Sequence, residues 1–467
     1  VSFAAAITLA FIITGEADPR FMGKLRLVIT QRVRRILGAA AGLYVALFVV
    51  ELCIVWQLSS EYLVPILWAL QIVSFQLVPY ILVVAIRILS VDEKRRQSRY
   101  LKEAESLVTR LDPYVIGITG SYGKSSVKNM LGELLQITHK ATFWPPKGVN
   151  TLMGVTAAIR NSLRPEHVTA VVEMAAYRRG SIRKLCELTP PKAGIITAIG
   201  IMHLERFGSP EEIYRAKTEL AQSIPADGIL VCNGDDTNAR RAAEEFSKQT
   251  TLLYGFDNSK GDLACHIKEI VIKEDGTHFE LVHLGKSYKS DTGLLGRPAL
   301  SNAMASFTMA CALGADPNFV LGAIRNLKPL DNRLSIRKNG EVTYIMDAYN
   351  SNPIGFTAAL EVLGAYPAQR RFLFTPGMIE LGERQFEENK RAAQAAAAVC
   401  DKIFLIGPEN REALHAGLRE AQYSEENIVF CDTRDIGFEL LHGLVSNGDV
   451  ILVENDLTDL YEGEERF

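Results

Sequence analysis

Two long apolar stretches near the start of the chain dominate its hydrophobic pattern. Residues 37–58 and 63–89 are each long enough to cross a bilayer as a helix, which takes roughly 20 residues. Residues 1–14 are also apolar; they are too short to span alone but could be the remainder of a helix whose start is missing. The pattern predicts a transmembrane helical region over 1–90 with a hairpin at its centre.

Positive charge flanks this hairpin on both sides, whereas the connecting stretch SSEY has no Lys or Arg. By the positive-inside rule both flanks, and everything after about residue 90, face the cytoplasm, where ATP is available. The alternative is a buried helical hairpin of a soluble domain. Glu51 lies mid-span, where an ionisable group often has a partner or a task, although a protonated or snorkelling glutamate is an equal alternative. The flanking cations are Lys24, Arg26, Arg32, Arg34 and Arg35 before the hairpin and Lys94, Arg95, Arg96 and Arg99 after it.

The rest of the chain has a different pattern. Residues 91–112 are charged and helix-favouring, which predicts a juxtamembrane linker helix. From 113 onward short β-branched runs such as YVIGIT, TAVVEM, GILVCN and DVILVEN alternate with helical patterns, which indicates an α/β fold with parallel sheets. A break at 326–333 predicts two domains, at 113–328 and 329–467.

Composition narrows the classes of function. The chain has 467 residues and a formal net charge of −3, which argues against a dedicated nucleic-acid binder. Its seven cysteines are scattered, with no Cys-x-x-Cys pair and no His/Cys cluster at metal spacing. They are typical of reduced, mostly buried thiols in a cytoplasmic protein.

Residues 115–126, VIGITGSYGKSS, combine a strand-like run, a glycine turn and a helical start. At such a junction backbone N–H groups converge on an anion, a lysine reaches the terminal phosphates and a hydroxyl can hold magnesium. The spacing is G-x-x-G-K-S instead of the standard G-x-x-x-x-G-K-[ST], and short Gly/Lys patterns also occur by chance. The context nevertheless favours a nucleotide site formed by Gly120, Ser121, Gly123, Lys124, Ser125 and Ser126.

Two further residues sit at predicted carboxyl ends of strands, the usual place for a ligand crevice. Glu173 closes TAVVE, and His203 follows AGIITAIGIM. Either alone is more often a satisfied structural residue. Together with Ser125 they form a candidate magnesium cluster.

The stretch GSPEEIYRAKTELAQSI predicts a capped helix with a lysine on its inward face. Its apolar stripe consists of Ile213, Leu220 and Ile224, and Lys217 lies on the same stripe. Buried lysines are rare unless paired or neutralised. The plain interpretation is a lysine paired with a nearby acid. The sharper hypothesis is an amine that reacts with CO2 to give a carbamate, which ligates a second magnesium.

The ordered series of motifs resembles the Mur ligase family, and within it most closely the D-alanyl-D-alanine-adding branch. The motifs that carry the resemblance, over about 113–467, are TGSYGKSS, KGVNTLMG, VVEM, HLERFGS, AKTEL, LLGRPALSNAMAS, DNRLS, MDAYNSNP and MIELGE. The resemblance implies a P-loop-type central ATPase domain and a C-terminal Rossmann-like domain. It also implies an ATP-dependent carboxylate–amine ligase that uses two Mg²⁺ ions and forms an acyl phosphate. Taken together with the apolar stretches, this predicts a multi-pass protein in the plasma membrane of a prokaryote, with its catalytic domains cytoplasmic.

The resemblance also implies roles for individual residues. Lys124 contacts the terminal phosphates, Ser125 and Glu173 bind the first magnesium, and His203 and carbamylated Lys217 serve the second. Asn302 matches an adenine-contacting asparagine, although Ser301 replaces the usual histidine before it. Arg333 matches the arginine that reaches the γ-phosphate, and Asp347 the ribose-binding aspartate. The substrate residues are Asn150, Thr151, Tyr349, Asn350 and Asn352.

This sequence departs from that branch in two places. Membrane helices stand where the branch has a nucleotide-sugar-binding domain, and VENDLTDLY stands where it has a Lys-Gly-Ser-Arg stretch. The acceptor therefore stays open between a lipid-linked or nucleotide-linked peptide precursor and a growing acidic polymer, as in poly-γ-glutamate synthases; the amine would be an amino acid or dipeptide. A third alternative is a catalytically inactive membrane scaffold. The membrane helices could also mediate homo- or hetero-oligomers.

Overall fold

A computed structural model describes residues 29–57, 63–138, 141–146, 148–200, 207–329, 332–348, 351–379 and 381–455. The described residues up to Lys102 form one compact unit, and those from Glu103 onward form another. His203, Tyr349 and Asn350 lie outside the described residues.

The N-terminal unit consists of helices. Helix α1, Gln31–Trp56, has a mean hydropathy of 2.2 over its most apolar window and is long enough to cross a membrane. Helix α2, Leu63–Gln76, and helix α3, Val78–Leu111, qualify as a span only when taken together, and their axes differ by 57°. Within the described residues there is thus one continuous candidate span.

The structure corrects two details of the expected hairpin. The stretch 63–89 is not one straight helix, because the chain breaks at Leu77, immediately before Val78-Pro79. A proline ring clashes with the carbonyl four residues earlier and has no N–H to donate, so a helix tends to end before it and a new one can start with it. The expected linker helix 91–112 is not separate either; it is the C-terminal part of α3.

A nine-stranded sheet forms the first half of the second unit. Its order is β2-β3-β1-β4-β5-β6-β7-β8-β9, parallel up to β7 and antiparallel from there. The strands are β1 Tyr114–Thr119, β2 Thr142–Phe143, β3 Thr169–Glu173, β4 Ala193–Ile196, β5 Ile229–Asn233, β6 Thr250–Gly255, β7 Cys265–Lys273, β8 Gly276–His283 and β9 Lys286–Thr292.

Seven helices accompany this sheet among the described residues. They are α4 Lys124–Ile137, α5 Leu152–Ser162, α6 Ser181–Leu188, α7 Pro210–Ser223, α8 Thr237–Glu245, α9 Gly296–Ala312 and α10 Pro317–Arg325. Helices α4 and α9 pack against each other, and their apolar faces share one core with β1 and β3 that includes Ile116, Leu131 and Phe307. The burial of these side chains fixes the start of α4 at the edge of the sheet.

A six-stranded sheet forms the second half of this unit. Its order is β10-β11-β15-β12-β13-β14, and only the β10–β11 pairing is antiparallel. The strands are β10 Ser335–Asn339, β11 Val342–Asp347, β12 Arg371–Thr375, β13 Lys402–Ile406, β14 Ile428–Cys431 and β15 Val450–Glu454. The helices are α11 Pro353–Ala365, α12 Gln385–Ala397, α13 Arg411–Glu420 and α14 Arg434–Leu444.

The strands predicted from β-branched runs are present, and they make the core of both sheets. The expectation of purely parallel sheets was incomplete. Strands β7, β8 and β9 form an antiparallel extension joined by tight connections at Gly276 and Gly285, both with positive φ. Because parallel strands carry their functional groups at one edge, the carboxyl ends of β1, β3 and β4 mark where the site should lie.

Candidate active site

The loop between β1 and α4 packs tightly against its neighbours. A Cβ at Gly120 would lie 2.0 Å from Thr197 Oγ1, and Gly120 has φ +151°. Ser121 donates its N–H to the Ala198 carbonyl at 2.7 Å and its hydroxyl to the Gly200 carbonyl at 2.9 Å. Only a glycine at position 120 lets the loop come this close to the chain after β4.

Gly123 is the residue before helix α4 and has φ +78°. A Cβ there would lie 2.3 Å from Asn302 Oδ1, so a glycine is required both for the backbone conformation and for the contact with α9. Gly123 has no side chain to cap the helix, and the first N–H groups of α4 are therefore not capped by it. Such a helix start is suited to an anion.

Lys124 is the first residue of α4. Its Nζ donates to the Ser121 carbonyl at 3.0 Å, which folds the side chain back over the loop. Burial lowers the pKa of Lys124; the carboxylate of Glu173 opposes this shift and the guanidinium of Arg333 adds to it. Lys124 therefore interacts electrostatically with Glu173 of the first sheet and with Arg333, which lies just before the second sheet begins. Ser125 is half-buried, and Ser126 is buried.

Glu173 ends β3 and is 1% exposed. Asn150 Nδ2 donates to its Oε1 at 2.9 Å, and Lys128 Nζ lies 3.8 Å from its Oε2. Oε2 has no hydrogen-bond partner among the described residues. Burying a carboxylate oxygen without a hydrogen bond costs free energy unless a cation binds that oxygen.

Lys217 lies on α7 with the stripe that the sequence predicts. Ser209 caps this helix, accepting from Glu212 N at 3.2 Å, and Pro210 follows it. Lys217 is 6% exposed, and its Nζ donates to the Gly120 carbonyl at 2.8 Å. Its pKa is well below the usual value because of burial first and the charge of Lys124 second, with Glu173 opposing.

A cavity of about 90 Å³ unites several of the predicted residues. Ser121, Lys124, Asn150 and Lys217 line it, together with Ala175, Ala176, Tyr177 and Phe207. Thr151 is exposed and caps α5 by accepting from Gly154 N at 3.2 Å. The cavity thus has a phosphate-type loop on one side and a buried amine on the other.

The C-terminal sheet supplies a second group of predicted residues. Asp347 ends β11 and accepts from Leu334 N at 3.3 Å. Its Cα is the register partner of Glu454 on β15, and Glu454 Oε1 accepts from Ser351 Oγ at 2.6 Å. Asn352 caps α11 through Gly355 N at 3.0 Å.

Asp347 and Glu454 perturb each other. Burial raises the pKa of Asp347 to about 6, while Leu334 N and Arg333 oppose the shift. Burial and the neighbouring Asp347 raise the pKa of Glu454 well above its usual value. Two carboxyl groups this close retain a proton more readily than either would alone.

Arg333 itself lies between Asn332 and Leu334, which have φ +57° and +47°. Non-glycine residues in this region are strained by roughly 1–3 kcal/mol each and often occur at functional sites. The strain is consistent with a backbone that is held in place for its side chain.

The donor set fits one magnesium ion beside the phosphate loop. Glu173 supplies a buried oxygen without a hydrogen-bond partner, and the Ser125 hydroxyl adds a second hard ligand of the kind Mg²⁺ takes in addition to phosphate oxygens. Within the described ranges no three His, Cys, Asp or Glu side chains cluster closely enough to hold an ion by themselves. The second predicted ion depends on His203, which is outside those ranges.

Sequence reasoning missed three residues of this region: Lys128, Glu219 and Glu454. Lys128 is fully buried beside Glu173; it lies one helical turn after Lys124, next to the apolar Val127. Glu219 is 2% exposed and accepts hydrogen bonds from the main-chain N–H groups of Gly180 and Arg183 at the start of α6. Only the helical spacing of Lys128 from Lys124 gave any signal in the sequence.

Comparison with known proteins defines the class. The profile of the Mur ligase middle domain matches residues 118–310, and that of the Mur ligase glutamate ligase domain matches residues 332–454. Both domains are those of ATP-dependent enzymes that form amide bonds. The chain belongs to the Mur ligase family.

Individual relatives agree with this assignment. The UDP-N-acetylmuramoyl-tripeptide–D-alanyl-D-alanine ligase of Mycobacterium tuberculosis is 29% identical over 363 residues, 73% of this chain and 70% of that protein. The ligase of the same name from Escherichia coli is 28% identical over 298 residues, 63% of this chain and 65% of that protein. The crystal structure of MurF ligase from Thermotoga maritima with ADP has a TM-score of 0.68 at 26% identity, covering 77% of this chain and 80% of that one.

Proposed function

We propose that this Mur ligase is a membrane-associated enzyme that joins the carboxylate of a peptide precursor of the cell wall to the amine of D-alanyl-D-alanine. The relatives from M. tuberculosis and E. coli bear the name of that activity. ATP would convert the carboxylate to an acyl phosphate, which the amine then attacks with loss of phosphate. The protein's part is to position the reactants and neutralise charge.

The observation that carries the proposal is the position of Lys217 at the phosphate loop. Its Nζ is 2.8 Å from the Gly120 carbonyl and shares one cavity with Lys124 and Asn150. A generic ATPase has no need of a second buried amine beside its loop. A ligase must hold an anionic acceptor there in addition to ATP.

Charge balance supports a carbamate on Lys217. Lys124, Lys128 and Lys217 all have their pKa lowered by burial and all interact with the one carboxylate of Glu173. An unprotonated amine can attack CO2, forming an N–C bond and releasing a proton. The carbamate brings a second negative charge to balance the cations, and its remaining N–H can still donate to Gly120.

We assign the other roles as the family resemblance implies. Lys124 and the loop residues Gly120, Ser121, Gly123 and Ser126 would hold the ATP phosphates, and Ser125 and Glu173 the first Mg²⁺. His203 and Lys217 would serve the second ion. Asn302 would contact the adenine of ATP, Asp347 its ribose and Arg333 its γ-phosphate. The residues that would contact the precursor are Asn150, Thr151, Tyr349, Asn350 and Asn352. We propose the middle domain as 113–328 and the C-terminal domain as 329–467.

The helical unit supports association with a membrane. Leu37, Val45, Val49 and Ile54 of α1 are exposed, as expected of a surface covered by lipid or another helix. Arg35 pairs with Glu93 at 3.2 Å, which brings the basic start of α1 beside the basic part of α3. This arrangement puts both cationic flanks on one side, as the positive-inside rule requires.

A polar contact inside the helical unit accompanies these features. Glu51 is 5% exposed and accepts hydrogen bonds from Gln71 and Ser74 on α2. Tyr44 in turn donates to Gln71 at 3.2 Å. Such a contact would hold α1 and α2 together in lipid, where hydrogen bonds between helices stabilise pairing.

A phosphate-release assay tests the function. Wild-type chain is supplied with nucleotide-linked muropeptide, lipid-linked muropeptide or glutamate polymer, each with and without D-alanyl-D-alanine. The proposal expects magnesium-dependent phosphate release only when a muropeptide and the dipeptide are both present. Release with the polymer alone would support the poly-γ-glutamate alternative, and rapid hydrolysis without acceptor or amine would point to an ATPase.

Membrane association is tested separately by fractionation. The full chain should stay in the membrane pellet after alkaline carbonate extraction, and protease added to spheroplasts should leave residues after 90 intact. Recovery in the soluble fraction would contradict the membrane part of the proposal without affecting the chemistry.

A further inference from the structure

A cluster of exposed cations follows the cavity along the chain. After Glu173 the main chain passes Ala175, Ala176 and Tyr177, all of which line the cavity with Lys124 and Lys217. The next residues include the exposed side chains that we call the basic rim: Arg178, Arg179, Arg183 and Lys184. Because this segment leaves the carboxyl end of a parallel strand, the basic rim lies at the same edge of the sheet as the site.

The basic rim is held in a fixed position. Glu219 accepts from Gly180 N at 2.5 Å and from Arg183 N at 3.0 Å, and Ser181 N donates to the Arg178 carbonyl at 3.1 Å. Glu219 is on α7, two residues after Lys217, and is itself buried. The helix that carries the reactive amine therefore also anchors the segment that carries the cations.

The four cations of the basic rim outnumber the acidic groups beside them, which include the buried Glu219 carboxylate that its main chain contacts. Glu187 is the only acidic residue in the sequence from 174 to 188. None of the four cations forms an ion pair with a carboxylate of the described residues, whereas Arg160, Arg215, Arg240 and Arg241 of the same domain all do. A fixed group of four exposed cations, none of them in a side-chain ion pair with a described residue, is suited to an anionic ligand even in a chain of net charge −3.

We propose that the basic rim binds the diphosphate of the acceptor; this inference rests on the proposed function. The reacting carboxylate must reach the phosphate loop at Lys124 inside the cavity. Arg178 and Arg179 follow Tyr177 but are not part of the cavity lining, so they would meet a part of the acceptor that extends out of the cavity. Lipid-linked and nucleotide-linked precursors share a diphosphate outside their reacting end. Guanidinium groups bind phosphate oxygens in pairs and with defined geometry.

Kinetics of a double variant tests the subsite. Arg178→Gln/Arg179→Gln should raise KM for nucleotide-linked and lipid-linked muropeptide by about tenfold or more, as expected for the loss of two charge-assisted contacts. KM for ATP, kcat at saturation and KM for the free peptide without diphosphate should not change. The matched control Lys286→Gln/Lys289→Gln removes two exposed lysines on β9, at the far edge of the sheet, and should resemble the wild type.

Three outcomes would overturn the proposal. An equal rise in KM for the free peptide would assign the basic rim to a peptide carboxylate. A loss limited to cosedimentation with vesicles of anionic phospholipid would assign it to the membrane surface. An unchanged KM for every acceptor would mean that the basic rim binds no part of the acceptor and is an ordinary solvent-exposed surface.

Direct binding keeps the test independent of the proposed function. Inorganic diphosphate is titrated into the full chain by calorimetry with saturating ADP and Mg²⁺, so that the phosphate loop is occupied. Binding that is weaker in the Arg178→Gln/Arg179→Gln variant but not in the β9 control supports the subsite even if no acceptor is ligated. Equal binding by all three proteins contradicts it.

Discussion

The amine of Lys217 donates a hydrogen bond to the main-chain carbonyl of Gly120, 2.8 Å away. This contact joins the buried face of α7 to the turn that begins the phosphate loop. The amine is held where the charge of Lys124 adds to the effect of burial in lowering its pKa, and Glu173 is close enough to oppose that shift. A lowered pKa makes the amine uncharged more often than an ordinary lysine, and only the uncharged amine reacts with CO2.

Replacement of Lys217 should separate charge from carbamate chemistry. Lys217→Arg retains a cation that cannot form a carbamate, whereas Lys217→Ala removes both. We expect both variants to lose ligase turnover by a factor on the order of 10² or more, as when a group that stabilises transition-state charge is removed. Phosphate release is the measurement.

A surface lysine provides the control for this comparison. Lys192→Arg alters a half-exposed lysine paired with Asp112 at 3.1 Å and should leave turnover unchanged. A carbon-13 NMR spectrum with labelled bicarbonate should show a carbamate signal in wild type that is absent from Lys217→Arg. Full activity in Lys217→Arg would rule out the carbamate role.

Gly123 and Gly285 allow backbone strain to be separated from a steric clash. Both have φ near +80°, but a Cβ at Gly123 meets Asn302 Oδ1 at 2.3 Å and a Cβ at Gly285 meets nothing within 4 Å. Backbone strain from alanine at either position should lower the free energy of unfolding by roughly 1–2 kcal/mol, and the clash at Gly123 should add to this loss. Only Gly123→Ala should also weaken ATP binding, by about tenfold or more, because it displaces the loop.

Equilibrium dialysis with labelled ATP measures that difference. Wild-type ATP affinity in both Gly123→Ala and Gly285→Ala would mean that the contact with Asn302 does not shape the nucleotide site. Equal loss in both would mean that general destabilisation, not the loop, explains the effect.

The phosphate loop could be predicted from sequence because its determinants are local. The strand, the glycines and the helix start lie within residues 114–137, and the burial of Lys217 followed from helical spacing alone. The break before Pro79 was equally local, but the apolar pattern of 63–89 concealed it. Hydropathy measures how apolar a segment is and does not register a missing N–H.

The partners of the predicted residues could not be found in this way. Glu454 becomes the neighbour of Asp347 only because β15 inserts between β11 and β12, a choice that no short pattern encodes. The hydrogen bonds from Gly180 and Arg183 to Glu219 likewise depend on how α6 and α7 pack. Sequence periodicity indicates which face is buried; it does not indicate which buried groups meet.

The carboxyl pair of Asp347 and Glu454 should make stability depend on pH. The pKa of Asp347 is raised from 3.8 to about 6, so the folded chain holds this proton more tightly than the unfolded chain. The contribution of this group to stability is therefore complete below about pH 4 and is lost as pH rises through about 6. The raised pKa of Glu454 acts in the same direction and extends the loss to higher pH.

Glu454→Gln should flatten this profile. The amide can still accept from Ser351 and donate to Asp347, but it carries no titrating proton. We expect the free energy of unfolding of wild type to fall between pH 5 and pH 8 by on the order of 1–3 kcal/mol relative to Glu454→Gln, measured by denaturant titration at each pH.

An exposed glutamate controls for the general effect of charge. Glu244→Gln changes an exposed residue of α8 and should keep the wild-type slope. A Glu454→Gln profile that runs parallel to the wild type would show that the pair shares no proton. A profile that falls more steeply would reverse the assigned sign.

The contact between Lys128 and Glu173 should separate stability from catalysis. Both side chains are essentially inaccessible, and Lys128 Nζ lies 3.8 Å from Glu173 Oε2. Lys128→Met should lower the free energy of unfolding by about 3–5 kcal/mol, because it removes the cation that is ion-paired with this buried carboxylate. The pair Lys390–Glu420, with side chains 22% and 52% exposed, provides the control, and Lys390→Met should have little effect.

The double variant Lys128→Met/Glu173→Met decides between two explanations of the loss. If the destabilisation arises from an uncompensated charge, removing both charges should recover most of the stability, since well-packed apolar residues can replace a buried ion pair. Ligase turnover should nevertheless stay lost, because Glu173 is the proposed magnesium ligand. Recovery of both stability and turnover would show that Glu173 serves only to balance the charge of Lys128. Recovery of neither would show that the site depends on the shape of these side chains and not on their charge.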